Sequence, residues 1–401
     1  MQVGKMISEA KLLQEQRSNL LKDDKILSDN NINTGRQPEV DLIKFFAIPF
    51  MVCIHIYEQI GGYDFANEIP DTFFRNMIEF VGGPLAAPVF MFSMGIGMIY
   101  TKRNSPSDHI KRGCKLLLAG YALNFFRQTL PQLLGITLGI DSGIDIVGGM
   151  LCVDILPFAG MAFITVGCMK KIKLSSMRIC VIAFIIQAAG IWSTRFNMRP
   201  GVIQNILGVL VPTGKWTSFP LTLWLVYPSL GMLFGEFLMK CKDKNMAYRK
   251  LMIFSIAFLG TFTVGLLYPG YDIRNIYALC GDLYYHNNII STLWITPIII
   301  LALGICWFMS AKVEKAKING FIRYCSINLN TIYIIQWLII AYSVAIRILL
   351  GAEKTRSPLM IISCGIIVTA LSIVISIPVV MIKQRKAENK VCIDNKGAAN
   401  I

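Results

Sequence analysis

The chain has 401 residues, of which 54% are hydrophobic and only 16% charged, with a mean hydropathy of +0.56. A soluble globular protein is excluded, because water-soluble surfaces need about 25% charged residues and several runs here reach the roughly 20 apolar residues that cross a bilayer. The formal net charge of +15 does not point to nucleic acid: Lys and Arg gather in short loops between apolar runs, as the positive-inside rule expects.

Residues 1–38 form a polar tail with charges of both signs and no h-region of a cleavable signal peptide. Its apolar stripe (Met6, Leu12, Leu13, Leu20, Leu21) suits an amphipathic surface helix no better than a disordered tail. Residues 39–383 hold ten expected spans, at about 40–60, 74–100, 111–130, 147–169, 177–194, 217–239, 250–268, 288–310, 328–349 and 358–383. A segment near 202–212 is too short to cross and reads as interfacial or re-entrant. Residues 384–401 form a basic tail. The expected fold is therefore an all-α polytopic integral membrane protein.

The loops orient the spans. Lys102, Arg103, Lys111 and Arg112 follow the second span, and Lys170, Lys171, Lys173 and Arg178 the fourth. Basic clusters also follow the sixth, eighth and tenth, whereas one alternate loop carries Asp64, Glu68 and Asp71 and another Asp141 and Asp145. Arg195, Arg199, Lys215, Lys354 and Arg356 run against this pattern. Both termini are expected in the cytoplasm.

Polar residues within the apolar runs are the candidate site. His55 stands in the first span, eleven positions after Lys44, and an intramembrane imidazole is expensive enough to suggest function. With the amino terminus inside, it lies roughly 22 Å from the cytoplasmic face. Pro49 is expected to kink that helix, and Lys44 is placed either to snorkel or to bind an anion. Glu58 lies one turn beyond His55, and Glu79 enters the second span. Arg127 closes the outer end of the third span and Asp154 lies in the fourth. A carboxylate beside an imidazole raises its basicity and fixes its tautomer, so Asp154 is the expected partner of His55. The competing reading is an Asp154–Arg127 ion pair that only positions helices. Gln336, in Tyr333-Ile-Ile-Gln-Trp337, suits an interhelical hydrogen bond. The eleven Cys are scattered without a CxxC pair, so no metal site is expected.

These residues resemble a family: the transmembrane acyltransferases related to heparan-α-glucosaminide N-acetyltransferase and to bacterial O-antigen and peptidoglycan acetyltransferases. The shared opening is an acidic residue, an Arg, and a His or Asn eleven positions later; here it reads Glu39-Val-Asp41, Lys44 and His55. Pro88-Val-Phe-Met-Phe-Ser-Met-Gly95 is similar to the heparan branch's Pro-Trp-Phe-Val-Phe-Ile-Met-Gly. Further echoes are Asp154-Ile-Leu-Pro-Phe-Ala-Gly160, Phe219-Pro-Leu-Thr-Leu-Trp224 with Gly231 and Gly235, and Ser326-Ile-Asn-Leu-Asn-Thr-Ile-Tyr333. The departures are Lys44 for Arg, Phe74 and Arg75 where the heparan enzyme has a His, His55 where it has Asn, and Gln336 where relatives often carry His.

The resemblance implies transfer of an acyl group, most often acetyl, from cytoplasmic acyl-CoA to a sugar or glycan hydroxyl or amine outside. Lys44, Lys102, Arg103, Lys111 and Arg112 would hold the CoA phosphates, while His55, with Asp154, acts as general base or acyl carrier. Ser93 or Asn124 is a candidate oxyanion donor; Glu58 and Arg127 lie on the acceptor side. The implied partners are the bilayer, acyl-CoA and a glycan, with a homodimer left open, and the location is the plasma (inner) membrane if the source is bacterial. The alternative is a secondary transporter or flippase using His55 and Asp154 for protons or substrate. The absence of an internal repeat weighs against it.

Overall fold

Helix α1 (Pro38–Gln59) is apolar over most of its length, with buried residues on several of its faces, as in a helix covered by neighbours rather than by water. Pro38 opens it and Glu39 and Asp41 lie in its first turn, where proline costs no hydrogen bond and carboxylates meet the positive end of the helix dipole. The computed structural model of the chain describes residues 26–60, 72–140, 145–193, 201–214, 216–278, 282–352 and 357–398. The amino-terminal stripe, the acidic loop at 63–71, and Asp141, Arg195, Arg199, Lys215, Lys354 and Arg356 lie outside them.

After α1 come α2 (Phe73–Gly82) and α3 (Ala87–Tyr100), which together make one membrane-length segment. Helix α4 (Pro106–Asn124) runs through a π-turn (Phe125–Thr129) into α5 (Leu130–Thr137). Next are α6 (Ile146–Met150), α7 (Ile155–Lys171), α8 (Ser176–Ser193) and the short α9 (Val202–Leu207). Then follow α10 (Leu221–Trp224), α11 (Val226–Lys240), α12 (Lys244–Leu267), α13 (Arg274–Tyr277) and α14 (Asp282–Tyr285). The chain closes with α15 (Ile289–Lys315), α16 (Asn319–Ile327), α17 (Leu329–Leu349) and the 41-residue α18 (Pro358–Ala398).

The protein is an all-α polytopic membrane protein. Eight segments are long and apolar enough to cross a bilayer: α1, α2 with α3, α8, α10 with α11, α12, α15, α17 and α18. The other two stretches read as spans are helical as well. They are α4, which carries charged residues along its first half, and the 17-residue α7. The segment near 202–212 is the six-residue α9 followed by a turn, tied to the start of α10 through the carbonyls of Val209 and Leu210.

Helix α1 packs against α2, α3, α15, α16, α17 and α18, and is thus the central post. Two pairs around it are tightly meshed: α4 with α7, and α3 with α11. Glycine makes the second pair close. A Cβ on Gly231 would fall on the Phe92 carbonyl, and one on Gly95 on the Pro228 carbonyl. Small residues that let backbones approach are the usual basis of helix association in lipid. By contrast α12 buries little beyond Ala247, Tyr248 and Ser255 and leaves Ile253, Phe254, Ile256 and Val264 exposed, an apolar surface that suits lipid.

Candidate active site

At one end of α1 the charges are closely tied. Glu39 accepts from Lys244 at 2.7 Å and from the Tyr248 hydroxyl at 3.0 Å. Asp41 accepts from Arg36 and, at 2.6 Å, from Ser326 Oγ. One turn further in, Lys44 is half-buried, and the charges of Asp41, Arg36 and Arg112 all act on it. The structure thus brings Lys44 and Arg112 into one neighbourhood; Lys102, Arg103 and Lys111 are exposed, on the turn before α4 and in its first turns. At this end too, Lys170 reaches Asn104 Oδ1 at 2.6 Å and His109 Nε2 at 3.0 Å.

His55 faces α17. Its Nδ1 lies 3.3 Å from Gln336 Oε1 and 3.1 Å from Gln336 Nε2, so either end of the amide can serve the imidazole, whichever tautomer is present. Its ring lies 4.1 Å from the Trp337 ring. Gln336 is fully buried whereas His55 is only partly so. The imidazole is therefore oriented through Nδ1 and partly exposed.

Asp154 is not the hydrogen-bonding partner of His55. It is the N-cap of α7, where Oδ1 accepts the Ile155 amide at 2.7 Å, and its Oδ2 accepts from Arg127 at 2.7 Å and from the Tyr333 hydroxyl at 2.6 Å. The Asp154–Arg127 pair expected as the competing reading is formed. Its physical reason is charge: a buried guanidinium needs a carboxylate far more than a neutral imidazole does. Asp154 still acts on His55 through its charge. Arg127 also donates to Asn124 Oδ1 at 3.0 Å, and its Cζ lies 4.2 Å from the Trp337 ring.

The π-turn explains how Arg127 reaches inward. One extra residue in the turn rotates the residues after it relative to a regular helix, and such turns recur at functional sites. The candidate oxyanion donors fare differently. The Asn124 amide nitrogen is spent on the carbonyls of Cys152 at 2.7 Å and Met150 at 3.1 Å, and Ser93 is buried within α3. Beyond His55, Glu58 accepts from Tyr285 at 3.3 Å. Glu79 accepts from Tyr57 at 2.9 Å and Arg75 at 3.3 Å.

Tyr333 and Trp337 belong to the cluster although the sequence reading did not single them out. With Gln336 they share one face of α17, at helical spacing i, i+3 and i+4; that spacing around an intramembrane Gln was the available signal.

A family model described as an acyltransferase domain matches residues 37–377, a segment that contains every residue of both clusters except Arg36. No curated protein matches the chain. A family match over this much of the helical bundle identifies the chain: it belongs to the acyltransferase-domain family and is a membrane acyltransferase.

Proposed function

We propose that the protein moves an acyl group, acetyl by preference, from a cytoplasmic acyl-CoA to a hydroxyl or amine of a sugar or glycan on the opposite face, with both termini on the donor side. The observation that carries this reading is the arrangement along α1. Cations converge at one end, Lys44 with Arg36 and Arg112; a partly exposed, oriented His55 follows; and phenols with carboxylates lie beyond it.

Lys44, Arg112, Lys102, Arg103 and Lys111 would take the CoA phosphates, since cations on a short segment suit a diphosphate. Eleven residues of helix cover about 16 Å, a distance suited to an extended pantetheine arm reaching from Lys44 toward His55. His55 then deprotonates the acceptor at Nε2, or carries the acyl group there. Glu58, with Tyr285, and the Tyr57–Glu79–Arg75 group suit a sugar, whose hydroxyls take hydrogen bonds from carboxylates and phenols alike. Asp154 and Arg127 support the imidazole through charge and packing rather than by direct hydrogen bonding.

The test is CoA release from acetyl-CoA by the purified protein in detergent, with and without glucosamine, for wild type and His55→Ala. Release stimulated by the sugar and lost in the variant is expected. Undiminished release by His55→Ala would remove His55 from the chemistry. A wild type with neither turnover nor CoA binding would overturn the reading in favour of transport.

A further inference from the structure

We propose that α16, the turn that leads into it and the adjoining part of α18 form a binding surface for anionic phospholipid headgroups. Lys317, Arg323, Lys383 and Lys386 take the phosphates, and Phe321 and Ile327 meet the upper methylenes of the chains. This surface is independent of the acyl-transfer reading.

Helix α16 is built to lie in the membrane boundary rather than to cross it. Its nine residues are too few to span. One face, Ile322, Cys325 and Ser326, is buried, and Ser326 bonds Asp41 of α1 at 2.6 Å. The opposite half exposes Phe321, Arg323 and Ile327 together. Neither water nor hydrocarbon alone suits such a mixture, whereas the headgroup layer takes both kinds of side chain.

Helix α18 reaches the boundary at the same place. The Tyr324 hydroxyl of α16 lies 2.8 Å from Ser376 Oγ, and Lys383 donates at 3.3 Å to Thr331 Oγ1 in the first turn of α17. The apolar run of α18 ends in exposed Met381 and Ile382, directly before Lys383. Lys386 follows one turn later on the same face. The carboxylates of these stretches, Glu314 and Glu388, leave the cations in clear excess. Among the described residues none of the four cations is ion-paired.

The turn adds a second, independent observation. Lys317 follows the C-cap of α15 with φ 58°, a left-handed position that glycine fills without strain and a residue with a Cβ does not. The helix dipole does not require a cation there, because Lys312 and Lys315 already stand in the last turn of α15. Strain of this kind persists where the side chain has a use. Lys173 has the same backbone, but it leads into the membrane-length α8 rather than a boundary helix.

The experiment equilibrates the purified protein with mixed micelles of equimolar phosphatidylglycerol and phosphatidylcholine and reads the retained lipids by native mass spectrometry. The wild type should retain phosphatidylglycerol in excess. Lys317→Gln, Arg323→Gln, Lys383→Gln and Lys386→Gln together should cut that excess about tenfold or more, since each cation near an anionic surface contributes about fivefold. A comparison variant with Lys240, Lys242, Arg249 and Lys250, exposed cations around the α11–α12 turn, likewise changed to Gln should keep most of it. An equal or greater loss in the comparison variant, or no excess in the wild type, overturns the proposal, because the charge then acts diffusely. Displacement of the lipid by inorganic phosphate at the same concentration also overturns it, in favour of a free-anion site. Lys317→Gly decides if the fourfold variant does not fold. Glycine relieves the left-handed backbone, so the unfolding midpoint in phosphatidylcholine should hold or rise while the phosphatidylglycerol excess falls about fivefold. An unchanged excess in Lys317→Gly overturns the proposal.

Discussion

Arg127 is held by a single full charge, the Asp154 carboxylate, 2.7 Å away and almost as deeply buried. Removing one member of such a pair leaves an uncompensated charge in a low-dielectric interior. Asp154→Ala should therefore destabilise the protein by about 3–5 kcal/mol, seen as a lower midpoint of thermal unfolding in detergent. Tyr333→Phe, which removes one donor to the same carboxylate, should cost about 1.5–3 kcal/mol. At the start of α4, ahead of its apolar stretch, burial above all, then the neighbouring cations of Lys170 and Arg112, hold the His109 imidazole down to about 4 against the attraction of Asp108. The unfolded chain takes up that proton near pH 6.5, so between about pH 6.5 and 4 it binds more protons than the folded chain and stability falls as pH drops. The unfolding midpoint should thus decline on moving from about pH 7 to about pH 5, and decline less in His109→Asn. What the sequence reveals at this scale is the misfit residue. His55, Asp154 and Gln336 stand out because an apolar run has no other use for them, whereas the pairing of His55 with Gln336 joins positions 281 apart and depends on which helices are neighbours.

At the scale of elements, membrane-length apolar runs made the helices legible, and the same property hid their interruptions. Gly82-Gly83-Pro84 marks the break between α2 and α3 in plain sight, but nothing in Phe125–Thr129 distinguishes a π-turn from ordinary helix. Side-chain pattern reports a residue's preference for lipid or core, not an extra residue in the turn. The helix α4, with Lys111, Arg112 and Lys115 in its first half, was read as a span beginning at 111, yet it begins at Pro106. Close helix contacts give a sharper expectation. Gly231→Ala sets a methyl on the Phe92 carbonyl, backbone that cannot rotate away, so α3 and α11 must separate. A loss of about 1–3 kcal/mol is expected, read as a lower unfolding midpoint, whereas Gly260→Ala on the lipid-facing side of α12, where a Cβ meets open space, should leave that midpoint unchanged or raise it slightly.

In the whole molecule, α1 is tethered at three levels. Glu39 and Asp41 bind α12 and α16 at one end, His55 meets α17 about one turn short of the other, and Tyr57 and Glu58 reach α2 and α14 just beyond it. A candidate site on a post so fixed gains its precision from the surrounding helices rather than from a loop. Helix α18 stands apart from this economy. Its 41 residues extend about 60 Å at 1.5 Å per residue, close to twice the hydrocarbon thickness. Its membrane-length apolar part runs from Pro358 to Lys386, so about a dozen residues, roughly 18 Å of helix, continue past it as a rod continuous with the embedded bundle. A small rigid domain spliced in helical register onto that rod would act as a beacon, giving electron-microscope images of an otherwise featureless 45 kDa particle the asymmetry that alignment needs.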